Sequence, residues 1–342
     1  MGLLLFGGIT PEGTDENGKF IKSFSEHLDG FNAGAIWLMY EYTNDVKYRY
    51  EAEKCVEELY ERIRNRTNVN IIDIGMIFVP SCVVGYYMTG TKLSMIATIM
   101  AADNLLTKYD SDKKTLVNHD YVSDYDSTIE FQTQPPKVSL FMNCSLLYRA
   151  SVFTGIDHYR QLADEIILSS IDDFVDSNGT VYWFGANTEG EKTGLRFNKC
   201  SLSDSSCRGI GWALFSLAVC YRETKNKKLY DKFILAYNNN VKKLYFDNPC
   251  IYENTCAAVI ICALNEFANC TGEKRFAEAA DKLLLWLIDN ASCSYDDGCE
   301  GLLGGTSGWS NDGPGPKKSN ICGDYFYLEA LVSKYKNRKS FW

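Results

Sequence analysis

Polar side chains with chemistry to offer stand at six points of this 342-residue chain: Asp29-Gly30-Phe31, Asp73-Ile74-Gly75, Asn143, Arg208-Gly209, Asn254 and Gly323-Asp324-Tyr325. A carboxyl such as Asp29 or Asp73 can give a proton to a substrate and then help water attack, provided it stays protonated until used. Both aspartates have a second reading as helix N-caps, a role worth about 0.5–2 kcal/mol. A capping carboxylate has a lowered pKa and donates protons poorly. Arg208 opens an apolar run, and arginine is almost never buried without an anion. Its partner is either a substrate carboxylate, held bidentately, or an internal acid such as Asp204 or Asp324. Phe31, Trp183, Trp212 and Trp309 offer flat apolar faces of the kind that line sugar sites. Trp183 and Trp309 lie in stretches rich in Gly, Ser and Asn, whereas Trp212 sits in an apolar run that equally suits a core. His119 and His158 have no partner at an informative spacing.

The elements that must position these residues are legible as a repeat. An apolar run, a break containing Thr, and an amphipathic run recur five times, with breaks at Tyr42-Thr43-Asn44, Met88-Thr89-Gly90, Phe153-Thr154-Gly155, Glu223-Thr224-Lys225 and Cys270-Thr271-Gly272. Gly or Asn there suits a left-handed helix C-cap. After the first break Tyr48, Ala52, Cys55, Val56, Leu59 and Ile63 form one helical stripe, the mark of a half-exposed helix. Phe276, Ala280, Leu283, Leu284 and Leu287 repeat it after the fifth. The runs before the breaks (33–42, 76–88, 140–153, 212–221, 256–267) are apolar nearly all round and read as buried helices, and a sixth, 325–335, closes the series. Six inner and five outer helices predict an all-α fold, an (α/α)6 barrel of helical hairpins with its first outer helix missing, as one domain over residues 1–342. An open α-solenoid is the alternative. Uneven spacing and long inserts at 109–137 and 176–206 favour the closed barrel, with loops gathered over one mouth. Pro80 predicts a kink in the second inner helix or a late start to it.

Composition narrows the function. A net charge of −9 without a basic stripe argues against nucleic acid, and no apolar stretch approaches the roughly 20 residues of a membrane span. Thirteen cysteines, an odd number with no Cys-x-x-Cys pair or zinc-type spacing, read as free thiols in a reducing cytoplasm. No metal or organic cofactor is implied. The sequon at Asn143 falls in a core-like run where a glycan does not fit.

With its motifs in this order, the chain resembles the unsaturated glucuronyl hydrolases, glycoside hydrolase family 88, and the related unsaturated rhamnogalacturonyl hydrolases of family 105. The resemblance rests on His27-Leu28-Asp29-Gly30-Phe31-Asn32-Ala33-Gly34, Asp73-Ile74-Gly75-Met76, Met142-Asn143 with Leu146-Leu147-Tyr148, Arg208-Gly209-Ile210-Gly211-Trp212, and Gly323-Asp324-Tyr325-Phe326-Tyr327. It implies hydration of the C4=C5 double bond of a 4,5-unsaturated uronic acid at the non-reducing end of lyase-generated oligosaccharides, whose hemiketal product then falls apart. It further implies Asp73 as the acid/base. Arg208 would bind the uronate carboxylate, Asp29 and Asn143 the hydroxyls. Beyond what the resemblance implies, His27, Phe31, Trp183, Trp212, Trp309 and Tyr325 complete the expected substrate site, and a monomer or homodimer is expected.

The chain departs from that pattern at Ser139, which takes the position of a second catalytic aspartate, and at Trp183, which replaces a histidine. His27 and Asn32 replace tryptophans. Two alternatives follow: a non-catalytic carbohydrate-binding or scaffold protein of the same fold, or an acid pair rebuilt from Asp120, Asp124 or Asp126.

Overall fold

The computed structural model describes residues 10–22, 28–117, 137–183, 199–244, 249–293, 298–307 and 314–342. Its helices are α1 (Asp29–Thr43), α2 (Val46–Arg64), α3 (Ile74–Phe78), α4 (Val84–Thr89), α5 (Lys92–Leu106), α6 (Asn143–Thr154), α7 (Asp157–Phe174), α8 (Cys207–Thr224), α9 (Lys227–Ala236), α10 (Asn254–Thr271), α11 (Lys274–Ala291) and α12 (Ile321–Lys336). A π-helical turn, Val79–Val83, joins α3 to α4 into one inner unit. That unit and α1, α6, α8, α10 and α12 form the inner ring; α2, α5, α7, α9 and α11 jacket it. The contrast in burial follows the sequence pattern. Thr255 through Leu264 of α10 are buried without interruption, whereas α2 buries only Ala52, Val56, Leu59 and Ile63. Each large apolar side chain so buried contributes roughly 1.5–3 kcal/mol.

The ring closes. Neighbouring inner helices touch in turn, and α12 packs on α1, with the Phe31 and Tyr325 rings 5.5 Å apart. This excludes the open solenoid. Small residues permit the closest crossings: a Cβ on Gly30 would lie 2.3 Å from the Ile77 carbonyl oxygen and one on Gly34 2.6 Å from the Tyr325 ring. Pro80 lies in the interruption of the α-helix. It lacks the N–H that an α-helix would supply to Met76, and the chain takes the wider π turn there.

The Thr in each break has a structural reason that spacing alone did not reveal. Thr43, Thr89, Thr154, Thr224 and Thr271 each donate from the hydroxyl to the carbonyl four residues back, at 2.7–2.8 Å. Each then accepts the backbone N–H two residues on. The residue after it is left-handed in every case, with φ of 55° at Asn44, 68° at Gly90, 72° at Gly155, 53° at Lys225 and 77° at Gly272. The five turns are therefore one device repeated, placed where inner helices end.

Before α1, strands β1 (Pro11–Thr14) and β2 (Phe20–Lys22) pair antiparallel, and Gly13 bridges to Asn320 at the start of α12. A second small hairpin joins β3 (Tyr109–Asp110) and β4 (Thr115–Leu116). Among the described residues no helix precedes α1 or is long and apolar enough to cross a membrane. All thirteen cysteines are free thiols.

Candidate active site

Asp73 immediately precedes α3, yet its side chain makes no capping hydrogen bond. The cap is supplied from another hairpin. Oδ1 of Asn143 accepts the Gly75 N–H at 2.7 Å, while its Nδ2 donates to the Leu140 carbonyl at 2.9 Å. Two expectations change here. Asp73 is a half-buried carboxylate not used as a cap. Asn143, fully buried at 0% exposure, is the residue that joins α3 to α6, not one presented to sugar hydroxyls.

Ser139 lies in the short helical turn Val138–Met142 that leads into α6. Its hydroxyl is 3.4 Å from Oδ1 of Asp73. The position expected to carry a second carboxylate thus faces Asp73, with a hydroxyl in its place. Beside Ser139, the Val138 N–H donates to the Trp183 carbonyl at 3.0 Å. The half-buried Trp183 ring covers the start of α8, so closely that a Cβ on Gly209 would lie 2.8 Å from it. Contacts thus run from Asp73 to Ser139, from the adjoining Val138 to Trp183, and from Trp183 to Gly209, the neighbour of Arg208.

Arg208 has an internal carboxylate, and it is neither Asp204 nor Asp324. Its Nε and Nη2 engage both oxygens of Glu253, the latter at 2.8 Å. Nη2 also donates to the carbonyl and hydroxyl of Ser307, at 2.8 and 2.9 Å. Burial works against the charge on Arg208, but the hydrogen bond and charge of Glu253 outweigh it and raise the pKa. Glu253, 1% exposed, also accepts the Ser307 N–H and hydroxyl at 3.1 and 2.6 Å. Glu253 and Ser307 were missed in the sequence. The one available signal was an acid placed directly before the inner-helix start at Asn254.

The other helix-start residues bond to loops or to a neighbouring helix. Asn254 donates to the Gly304 carbonyl at 2.8 Å. Oδ1 of Asp324 accepts the Leu302 and Leu303 N–H groups at 3.1 and 2.9 Å. Burial raises the Asp324 carboxyl to about 7 against the lowering effect of those amides. Asp29 opens α1 and pairs with Arg62 of α2 at 3.0 Å.

Phe31, Trp212 and Tyr325, expected as sugar-stacking or substrate-binding residues, are 2%, 3% and 1% exposed. Their rings pack on Phe326 at 5.8, 5.6 and 5.0 Å. They fill the barrel axis, because an inner helix crowded on every side turns its large aromatic groups inward. His27, Trp309, His119, Asp120, Asp124 and Asp126 lie outside the described residues.

Known proteins agree with this architecture. An unsaturated chondroitin disaccharide hydrolase of Streptococcus pneumoniae is 25% identical over 350 residues, spanning 96% of this chain and 87% of the relative. An unsaturated glucuronyl hydrolase of Bacillus sp. strain GL1 is 25% identical over 358 residues, spanning 98% and 94%. The crystal structure of the unsaturated glucuronyl hydrolase from Bacillus sp. GL1 shares the fold with a TM-score of 0.84 at 24% identity, over 98% of this chain and 93% of that one. That from Streptococcus agalactiae gives 0.83 at 25% identity, over 99% and 89%. The model of Glycosyl Hydrolase Family 88 matches residues 17–247, more than half of the sequence, and the chain belongs to that family.

Proposed function

We propose that this protein removes a 4,5-unsaturated uronic acid from the non-reducing end of short lyase-generated oligosaccharides, with Asp73 as acid and base. The observation that carries this reading is the half-buried Asp73 carboxylate, unused as a cap and facing Ser139, whose neighbour Val138 is bonded to Trp183. The protonated carboxyl of Asp73 gives its proton to C4 of the C4=C5 bond, water adds its oxygen at C5, and the water proton returns to the carboxylate. The resulting hemiketal opens and releases the next sugar. Arg208, held in one orientation by Glu253 and Ser307, contacts the uronate carboxylate. Trp183 forms a side of the sugar site and Asp29 binds a hydroxyl. A cytoplasmic location suits the thirteen free thiols, and the whole chain works as one domain, alone or as a homodimer.

The test is the loss of ultraviolet absorbance of unsaturated uronyl disaccharides derived from chondroitin, heparin and pectin, with Asp73→Asn as control. Loss with the wild-type protein alone supports the assignment. A second reading, a carbohydrate-binding protein without catalysis, is favoured by the hydroxyl of Ser139 standing opposite Asp73. Saccharide binding without absorbance loss would select it.

A further inference from the structure

Past α12 the chain turns at Asn337, with φ of 51°, and residues 338–342 cross the end of the barrel away from the candidate site. They reach every inner element. Arg338 forks between Glu41 of α1, at 2.7 and 2.9 Å, and Glu329 of α12, at 3.1 and 2.9 Å. It thereby ties the last inner helix to the first. Phe341 stacks on Tyr87 of α4 with centroids 5.8 Å apart. The Ser340 N–H donates to Glu266 of α10 at 3.1 Å. The main-chain oxygen of Trp342 accepts from Arg222 of α8 and from Arg149 of α6, the latter at 3.5 Å.

Trp342 itself is 0% exposed. Its ring stacks on Phe326 at 5.8 Å and meets Phe215 edge-on at 5.8 Å. Its indole N–H donates to the Tyr325 hydroxyl at 2.9 Å. Tyr325 touches Phe31, and the adjoining Gly30 rests on the Met76 and Ile77 carbonyls of α3, the helix that Asp73 precedes. A packed line of groups thus runs from one end of the axis to the other.

We propose that residues 338–342 are a latch that locks the seam of the barrel. Trp342 is a positioning residue for the candidate site, acting through Tyr325 and Phe31 on the α1–α3 crossing. The kinetic part of the test rests on the hydrolase reading; the exchange part does not.

The experiment compares the wild type with Trp342→Gly and Trp342→Phe, with and without free indole. Amide hydrogen exchange and hydrolysis of an unsaturated uronyl disaccharide are followed. Removing the ring leaves a buried apolar cavity that free indole can refill. Trp342→Gly is expected to speed exchange at residues 29–36 and 321–327. It is expected to lower kcat by about tenfold with KM changed less than about threefold, and indole is expected to reverse both effects. Trp342→Phe, which keeps bulk and loses the hydrogen bond, should show the same changes in smaller measure. Faster exchange confined to 338–342 and the inner-helix ends it touches, or full kcat in a destabilised variant, overturns the positioning role. If Trp342→Gly does not fold, unchanged exchange at 29–36 in folded Trp342→Phe overturns it. If the wild type hydrolyses no disaccharide, the functional reading fails and exchange alone decides the latch.

Discussion

The hydroxyl of Ser139 lies 3.4 Å from a carboxylate oxygen of Asp73, across the gap between the second and third hairpins. Asp73→Asn keeps the size of the side chain and removes its ability to give and recover a proton. It should lower kcat/KM by about 10²–10⁴-fold, the usual weight of general acid–base catalysis. Ser139→Asp adds a carboxylate next to Asp73, and two neighbouring acids do not ionise together. The basic limb of the pH–rate profile is expected to move to higher pH in that variant.

Asn143→Ala tests the shared cap. It leaves the buried Gly75 N–H without its acceptor, and such a loss costs about 1–3 kcal/mol. Urea unfolding should show a lower midpoint with an unchanged slope.

Glu253→Gln removes the charge from a carboxylate that is 1% exposed and engaged by Arg208. Stripping one partner from a buried pair typically costs about 3–5 kcal/mol. Calorimetry should show the loss, and a second change, Arg208→Met, should recover part of it by removing the buried charge that Glu253 balanced.

Asp324 gives a pH dependence with a definite sign. Its carboxyl sits at about 7 in the folded chain, raised by burial from an ordinary 3.8. Between those values the folded chain keeps the proton and the unfolded chain releases it. The stability from this group is therefore complete below about pH 4 and lost as pH rises towards about 7. Asp324→Asn abolishes that dependence, so its melting temperature relative to wild type should climb between about pH 4 and pH 7.

Lys225 occupies the left-handed position that Gly or Asn fills at the other four breaks, with φ of 53°. A side chain there costs about 1–2 kcal/mol. Lys225→Gly also loses the ammonium contact over the Tyr221 ring at 5.1 Å. A net gain of up to about 1 kcal/mol in denaturant unfolding is expected.

The hairpins were legible because helix periodicity and C-caps are local: the breaks at Asn44, Gly90, Gly155, Lys225 and Gly272 are all true helix ends. The aspartate and serine positions were legible through the resemblance. What escaped depends on neighbours distant in sequence. Glu253 meets Arg208 across 45 positions and Asn143 meets Gly75 across 68, and no spacing rule encodes either meeting. Phe31, Trp212 and Tyr325 suit a sugar site as aromatics near polar helix starts, though Trp212 equally suits a core. The closed ring gave them an axis to fill instead. Nothing local marks Trp342, since its socket exists only once six helices have converged.

The five threonine turns all sit at one end, and each is complete within a few residues of chain. That end can stay constant while the opposite one is rewritten. Lengthening, shortening or exchanging a loop between an outer helix and the next inner helix alters none of these joints. The five joints are therefore independent of the length of the loops at the other end.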